Sequence, residues 1–175
     1  TYFRTIAEYK LLAKHEVGQN FLIDSGVASR IVSSAELTKQ DRVLEIGSGA
    51  GSLSYFIANF PAEADLIDID EGLVTKLKND FQLFPNVHPQ IGNIMRYDVS
   101  SYQKIIGNLP YYITSGILER LLLEATSCSL MVLMVQKEAF ERLTAKKGSK
   151  DYGPLPLLLE TQGETKRLFS VPRSA

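Results

Sequence analysis

The chain has 175 residues, and 45% of them are hydrophobic, which is enough for one domain with a full core. Its formal net charge is −1, which is only a weak argument against a nucleic-acid binder, and no apolar run has the length of a membrane span. Cys128 is the only cysteine, which excludes an intrachain disulfide and a cysteine-rich zinc site and indicates a reducing, cytoplasmic setting.

Predicted helices and strands alternate along the chain. A helix over residues 24–36 precedes the first strand, and the run 157–159 after Pro156 is compatible with a last strand. Between them we predict strands at 42–46, 64–69, 87–91, 103–106 and 130–135, and helices at 51–59, 71–83, 114–125 and 136–144. Apolar strands that alternate with helices predict an α/β fold, a mostly parallel sheet with helices on both faces.

Charge is distributed unevenly along these elements. Residues 43–100 carry three basic and eight acidic side chains, a net −5, whereas residues 101–175 carry ten basic and seven acidic side chains, a net +3. The first block suits a cationic small ligand, and the second could approach a polyanion.

The segment VLEIGSGAGSLS (43–54) has the order strand, glycine turn, helix. Its glycines allow a tight turn and a close approach of the backbone to a ligand, and Asp68, 21 residues after Gly47, is placed to bind ribose hydroxyls. These features predict an adenosine-containing ligand. The pattern GxGxG, with Glu45 before it, departs from the dinucleotide pattern GxGxxG. A sulfonium ligand without phosphate also suits the acidic block, which favours S-adenosylmethionine over a dinucleotide.

The segment GNLPYYIT (107–114) follows a predicted strand, at the edge where ligands bind in such sheets. Pro110 biases Leu109 toward an extended backbone, so the Asn108 side chain and the Leu109 carbonyl can act as acceptors beside Tyr111. Two acceptors and an aromatic face suit a planar ring with an exocyclic amine, which in a nucleic acid must be unpaired or flipped out. A sulfonium methyl group is already activated, so positioning alone can supply much of the rate.

These motifs together resemble those of the ribosomal RNA adenine dimethyltransferase family, and the small-subunit branch in particular. The resemblance extends over nearly the whole chain. It rests on HEVGQNFL (15–22), VLEIGSGAGSLS (43–54), LIDIDEGL (66–73), IGNI (91–94), NLPYYIT (108–114), MVQKEAFERL (134–143), GSKDYGPL (148–155) and SVPRSA (170–175).

The resemblance implies a Rossmann-like class I methyltransferase domain over residues 1–175, with a helical lead-in over about 1–40 and without the family's C-terminal helical domain after SVPRSA. It also implies dimethylation of adenine amines in small-subunit rRNA during ribosome assembly, with S-adenosyl-L-methionine as the donor. The partner is rRNA, expected within a small-subunit precursor. The oligomeric state stays open, with a monomer as the expectation.

The resemblance also assigns site residues. The implied cofactor-binding residues are Gln19, Asn20, Leu22, Gly47, Gly49, Gly51, Asp68, Ile69, Asn93 and Asn108, and the implied catalytic residues are Asn108, Leu109, Pro110 and Tyr111. Asn108 would lie between the cofactor and the target amine, the Leu109 carbonyl would accept from that amine, and Tyr111 would stack on the adenine. Asn93 stands where the family usually has an aspartate that accepts from the cofactor's adenine amine. The loss of that charge predicts weaker cofactor binding, since charge-assisted bonds are stronger.

Several alternatives remain open. The related branch that methylates a large-subunit adenine and gives macrolide resistance shares these motifs. A non-catalytic RNA-binding assembly factor on the same fold is a second alternative, and a dinucleotide-dependent oxidoreductase is a third. The polar loop that contains Lys146, Lys147 and Lys150 either contacts RNA phosphates or is merely solvated. His15 and His88 lie far apart and lack nearby carboxylates at ligand spacing, so we predict no metal site. We also predict no membrane contact, because no apolar run is long enough for a membrane span.

Overall fold

The computed structural model describes residues 2–4, 6, 21–172 and 174–175. Five strands form one sheet in the order β3-β2-β1-β4-β5, and every neighbouring pair is parallel. The strands are β1 Arg42–Ile46, β2 Glu63–Asp68, β3 Val87–Ile91, β4 Lys104–Asn108 and β5 Leu130–Met134. The helices are α1 Ser25–Ser33, α2 Ser52–Ile57, α3 Glu71–Asp80, α4 Thr114–Glu124, α5 Lys137–Leu143 and α6 Pro154–Gln162.

Helices cover both faces of the sheet. Neighbouring residues of a strand point to opposite sides, so each strand contributes apolar side chains to both faces. In β1, Val43 belongs to a core cluster with Leu53 and Ile57 of α2. The next residue, Leu44, belongs to a second cluster on the other face, which includes Ile117 of α4. The fold predicted from the sequence, a Rossmann-like α/β domain with a parallel sheet, is therefore confirmed. None of the helices in the described ranges is long and apolar enough to cross a membrane.

The register brings three strand ends to one place. Ile46, at the end of β1, pairs with Ile67 of β2 on one side and with Gly107 of β4 on the other. The chain order of the strands reverses between β1 and β4, and ligands of such sheets bind beyond the carboxyl ends at this switch point. The two predicted motifs leave the sheet here, side by side.

One predicted element is wrong. The run 157–159 lies inside α6 and is not a strand. A short apolar run does not reveal its own periodicity, whereas Pro154 at the first helical position is typical of a helix start. Leu159 packs against the core cluster that α4 helps to form, and this packing needs a helix. The strand at 87–91 is confirmed despite Pro89, because β3 is an edge strand, where proline is tolerated.

Candidate active site

A cavity of about 320 Å³ lies beyond the carboxyl ends of β1, β2 and β4, within the size range of small-molecule sites. It brings together residues that are up to 92 positions apart in the chain, from Phe21 to Ile113. Ten of the predicted site residues line it: Leu22, Gly47, Gly49, Asp68, Ile69, Asn93, Asn108, Leu109, Pro110 and Tyr111. Gln19 and Asn20 lie outside the described residues. Gly51 does not line the cavity. It begins α2 with φ 96°, and a side chain there would overlap the Tyr2 hydroxyl.

The glycine turn brings the end of β1 against the end of β4. Gly47 has φ 65°, and a Cβ atom there would lie 3.3 Å from the Asn108 carbonyl oxygen. Gly49 has φ 53°, and its Cβ would lie 3.3 Å from the ring of Phe21. Any larger residue would therefore be strained in its backbone and crowded by its neighbours. Because these glycines lack side chains, the turn can lie close to residues 108–111, which we call the Asn108 segment, and both line one cavity.

Asp68 organises this turn while it faces the cavity. One carboxylate oxygen accepts a hydrogen bond from the Gly49 amide at 2.9 Å, and the other accepts from the Asp70 amide at 3.0 Å. The side chain is buried. A carboxylate oxygen can accept more than one hydrogen bond, so Asp68 retains capacity to bind ligand hydroxyl groups.

Glu45 is a second buried acid of the cavity wall, to which the sequence analysis assigned no role. The Ser54 hydroxyl donates to Glu45 Oε2 at 2.6 Å, which connects the end of β1 to α2. Burial raises the pKa of Glu45 to about 8, so its carboxyl group is protonated at neutral pH. An acid inside an otherwise apolar strand is the sequence signal for such a group, but its partner is known only from the fold.

The segment after β3 forms another wall. The Gly92 amide donates to the Asp68 carbonyl at 2.9 Å, which holds this segment beside Asp68. Asn93 Oδ1 accepts a hydrogen bond from the Met95 amide at 2.9 Å. This donor requires the oxygen, so the amide nitrogen of Asn93 points elsewhere. The oxygen predicted to accept from a ligand amine thus already has one partner and one lone pair left.

Residues 108–114 carry the second predicted motif, and Pro110 has an extended backbone here. Pro110 has φ −64° and ψ 132°, and the Thr114 hydroxyl donates to the Pro110 carbonyl at 3.0 Å. The Leu109 side chain is buried in the core. Tyr111 is 38% exposed and Tyr112 is 69% exposed at the cavity, so aromatic faces are available to a planar ligand.

Several lining residues were not predicted, and most of them are apolar. Nothing in a single sequence separates an apolar side chain at a cavity from one in the core. The apolar ones are Phe21, Ile46, Ala50, Leu53, Ile67, Ile94, Met95 and Ile113. Within the described ranges, no group of three or more histidine, cysteine, aspartate or glutamate side chains could hold a metal ion.

Comparison with known proteins gives consistent results. The family model described as ribosomal RNA adenine dimethylase matches residues 11–175. The protein named ribosomal RNA small subunit methyltransferase A from Listeria monocytogenes is 34% identical over 97% of the chain, and the matched region is 61% of that protein. The chain thus spans about three fifths of the length of this curated relative.

Two solved structures extend the comparison. A dimethyladenosine transferase from Plasmodium falciparum superimposes with a TM-score of 0.72 and 27% identity, over 78% of this chain and 50% of that chain. The 23S rRNA methyltransferase ErmE superimposes with a TM-score of 0.65 and 28% identity, over 74% of this chain and 53% of that chain.

Proposed function

The chain belongs to the ribosomal RNA adenine dimethylase family, and from this premise we propose that it transfers methyl groups from S-adenosyl-L-methionine to the exocyclic amine of adenines in small-subunit rRNA. One observation carries the proposal. The glycine turn and the Asn108 segment, predicted separately as a donor site and an amine site, line one cavity with Gly47 against Asn108. Residues 1–175 act as a single methyltransferase domain in this proposal.

The cavity fits the proposed cofactor. Its volume of about 320 Å³ is at the lower end of the range for small-molecule sites, and its glycine turn has no side chains that would fill it. Asp68 holds the ribose hydroxyls, Gly47 lies against the amino-acid end, and Ile69 and Asn93 flank the adenine. Gln19 and Asn20 belong to the same proposed set. S-adenosylmethionine supplies a methyl group that its sulfonium sulfur has already activated.

The target amine binds at Asn108. The Asn108 side chain and the Leu109 carbonyl accept its two hydrogens, which directs the nitrogen lone pair toward the donor side of the cavity. Tyr111 stacks on the adenine ring. Thr114 fixes the Pro110 carbonyl and thereby the path of this segment. No residue acts as a strong base, because positioning of the two reactants supplies most of the rate.

The target adenine must leave its helix to reach this depth, so the proposed partner is an rRNA with unpaired or readily flipped adenines, in a small-subunit precursor. Lys146, Lys147 and Lys150 are all exposed, and we assign them to the phosphate backbone. The small-subunit assignment rests on the name of the Listeria relative, whose match covers 97% of the chain. The superposition on ErmE, a 23S rRNA methyltransferase, makes a large-subunit substrate the second candidate.

A methyl-transfer assay tests the proposal. The chain is incubated with radiolabelled S-adenosylmethionine and with unmethylated small-subunit or large-subunit rRNA particles. We expect labelled dimethyladenine in the small-subunit RNA. Asn108→Ala should lower the rate by about 100-fold, the order of effect seen when one positioned polar group of an active site is removed. The matched control is Asn79→Ala, which removes an exposed asparagine from α3 and should keep the parent rate.

Other results assign the chain differently. Label in the large-subunit RNA alone would establish the second candidate. Cofactor binding without any methyl transfer would favour the non-catalytic assembly factor. A normal rate for Asn108→Ala would contradict the proposed role of the Asn108 segment.

A further inference from the structure

Arg120 of α4 binds the backbone of the segment that follows β3. Its Nη1 donates to the Ile94 carbonyl, and its Nη2 donates to the Tyr97 carbonyl at 2.6 Å. The guanidinium also forms an ion pair with Glu124 at 2.8 Å, one helical turn further along α4. The side chain of Arg120 is only 13% exposed, whereas that of Glu124 is 52% exposed. Arg120 is therefore directed into the protein, toward the two carbonyls.

The Ile94 carbonyl belongs to a residue of the cavity wall that contains Asn93, and Tyr97 follows that wall closely in the chain. Gly92, Asn93, Ile94 and Met95 line the cavity, and both bonds of Arg120 fall on or just after this stretch. The segment is a tight turn, since the amides of Arg96 and Tyr97 both donate to the Asn93 carbonyl at 2.9 Å. A planar guanidinium can bridge two acceptors at once, which a lysine ammonium does less well. One side chain thus holds the turn at two points, Ile94 and Tyr97.

Helix α4 is also packed against this turn directly. Ile94 of the turn belongs to the same buried core cluster as Ile117 and Leu118 of α4. A Cβ atom on Gly116 would lie 3.6 Å from the Met95 Cε atom, so the helix also passes close to Met95. The same helix begins at Thr114, whose hydroxyl fixes the Pro110 carbonyl at the other side of the cavity. A single rigid element therefore contacts both walls.

We propose that Arg120 is a positioning residue that holds the 92–97 turn in the conformation that receives the adenine end of the cofactor, an inference that rests on the proposed function. Arg120 does not line the cavity and acts through the backbone of its neighbours. Without it, the turn would occupy its binding conformation only part of the time, and the apparent affinity would fall by that fraction. The ion pair with Glu124 is a partly exposed helix pair and contributes little.

Calorimetric titration of the chain with S-adenosylmethionine tests this inference. We expect Arg120→Gln to bind about tenfold more weakly than the parent, since most of the preorganisation of the turn is lost. Arg120→Lys keeps the charge but not the two separate N–H donors of the guanidinium, and should bind with intermediate affinity. Glu124→Gln removes the ion pair alone and is the matched control, with affinity within about twofold of the parent.

Hydrogen exchange separates positioning from general stability. In Arg120→Gln the amides of Arg96 and Tyr97 should exchange faster, while those of β1 and β2 keep their protection. Faster exchange throughout the sheet, or an unchanged affinity of Arg120→Gln, would overturn the inference and leave the proposed function intact. Failure of the parent chain to bind S-adenosylmethionine would overturn the proposed function, and the inference with it.

Discussion

Two aspartates of β2 show that the amino and carboxyl ends of the parallel strands have different uses. We call these two sides of the sheet its amino edge and its carboxyl edge. Asp65 and Asp68 are both 7% exposed and lie three residues apart. Asp65, toward the amino end, accepts from the Tyr102 hydroxyl at 2.5 Å and pairs with Arg42 at 3.1 Å. Asp68, at the carboxyl end, accepts from two backbone amides and lines the cavity. Burial and charge are equal, and only the partners distinguish a structural acid from a site acid.

The partners of the amino edge are themselves occupied. The Arg42 guanidinium also bonds to the Ser101 hydroxyl at 3.0 Å and lies 4.8 Å from the centre of the Tyr102 ring. The Tyr102 hydroxyl is within 3.2 Å of the Tyr97 hydroxyl, and burial together with Asp65 raises the pKa of Tyr102 far above its usual range. Such a network stabilises the fold and leaves little capacity for a ligand.

Replacement of either aspartate by alanine should separate the two roles. Asp68→Ala should weaken S-adenosylmethionine binding by about 30-fold, because a ribose partner and the acceptor of the Gly49 amide are both lost. Asp65→Ala should leave the affinity within about twofold but lower the free energy of unfolding by about 3 kcal/mol, since it breaks a buried hydrogen-bonded network. Calorimetry and denaturant unfolding of both variants measure the pair of effects. Equal loss of affinity in both variants would contradict the division between the edges.

Glu45 makes the carboxyl edge sensitive to pH. Between its ordinary pKa and about 8, the carboxyl group is ionised in the unfolded chain and protonated in the folded one. In this pH range the folded state holds one more proton than the unfolded chain. The free energy of unfolding therefore falls as the pH rises, until Glu45 is ionised in both states above about pH 8. From pH 6 to pH 8 the free energy of unfolding should fall by about 2 kcal/mol through Glu45.

Glu45→Gln tests this contribution, because glutamine keeps an oxygen for the Ser54 hydroxyl and does not titrate. Unfolding curves at pH 6, 7 and 8 should show a smaller loss of stability in the variant than in the parent. An identical pH dependence in the two proteins would mean that Glu45 is already ionised in the folded chain at pH 6.

The smallest expected effect is at Asn93. Asn93→Asp keeps an acceptor for the Met95 amide and adds a negative charge beside the proposed adenine amine. Because charge-assisted hydrogen bonds are roughly twice as strong as neutral ones, affinity for S-adenosylmethionine should rise by about fivefold. Asn79→Asp on the exposed face of α3 makes the same change of charge and should leave the affinity unchanged. An equal gain in both variants would assign the effect to net charge alone.

The sequence predicted the fold and ten of the residues that line the cavity, because the fold and the two site motifs depend on local patterns. The order of strands and helices needs only apolar periodicity. The GxGxG turn and Asn108–Tyr111 each follow a predicted strand, and Asp68 lies near the end of one. Where the pattern was short, at 157–159, the prediction was wrong, since helix α6 is stabilised by packing on α4 and α5. Roles that depend on a distant partner, such as Glu45 with Ser54 or Arg120 with Tyr97, were not predictable from spacing.

Pro89 at the outer strand of the sheet has a consequence for self-association. An exposed strand edge offers free amides and carbonyls to a second chain and promotes aggregation. Among the described residues β3 is an outer strand, and its last residue, Ile91, is 57% exposed, which would favour the adhesion of another copy. Proline has no amide hydrogen and interrupts the regular row of donors that a docking strand requires. A residue that weakens strand formation in isolation therefore protects the folded protein against growth into β-sheet aggregates.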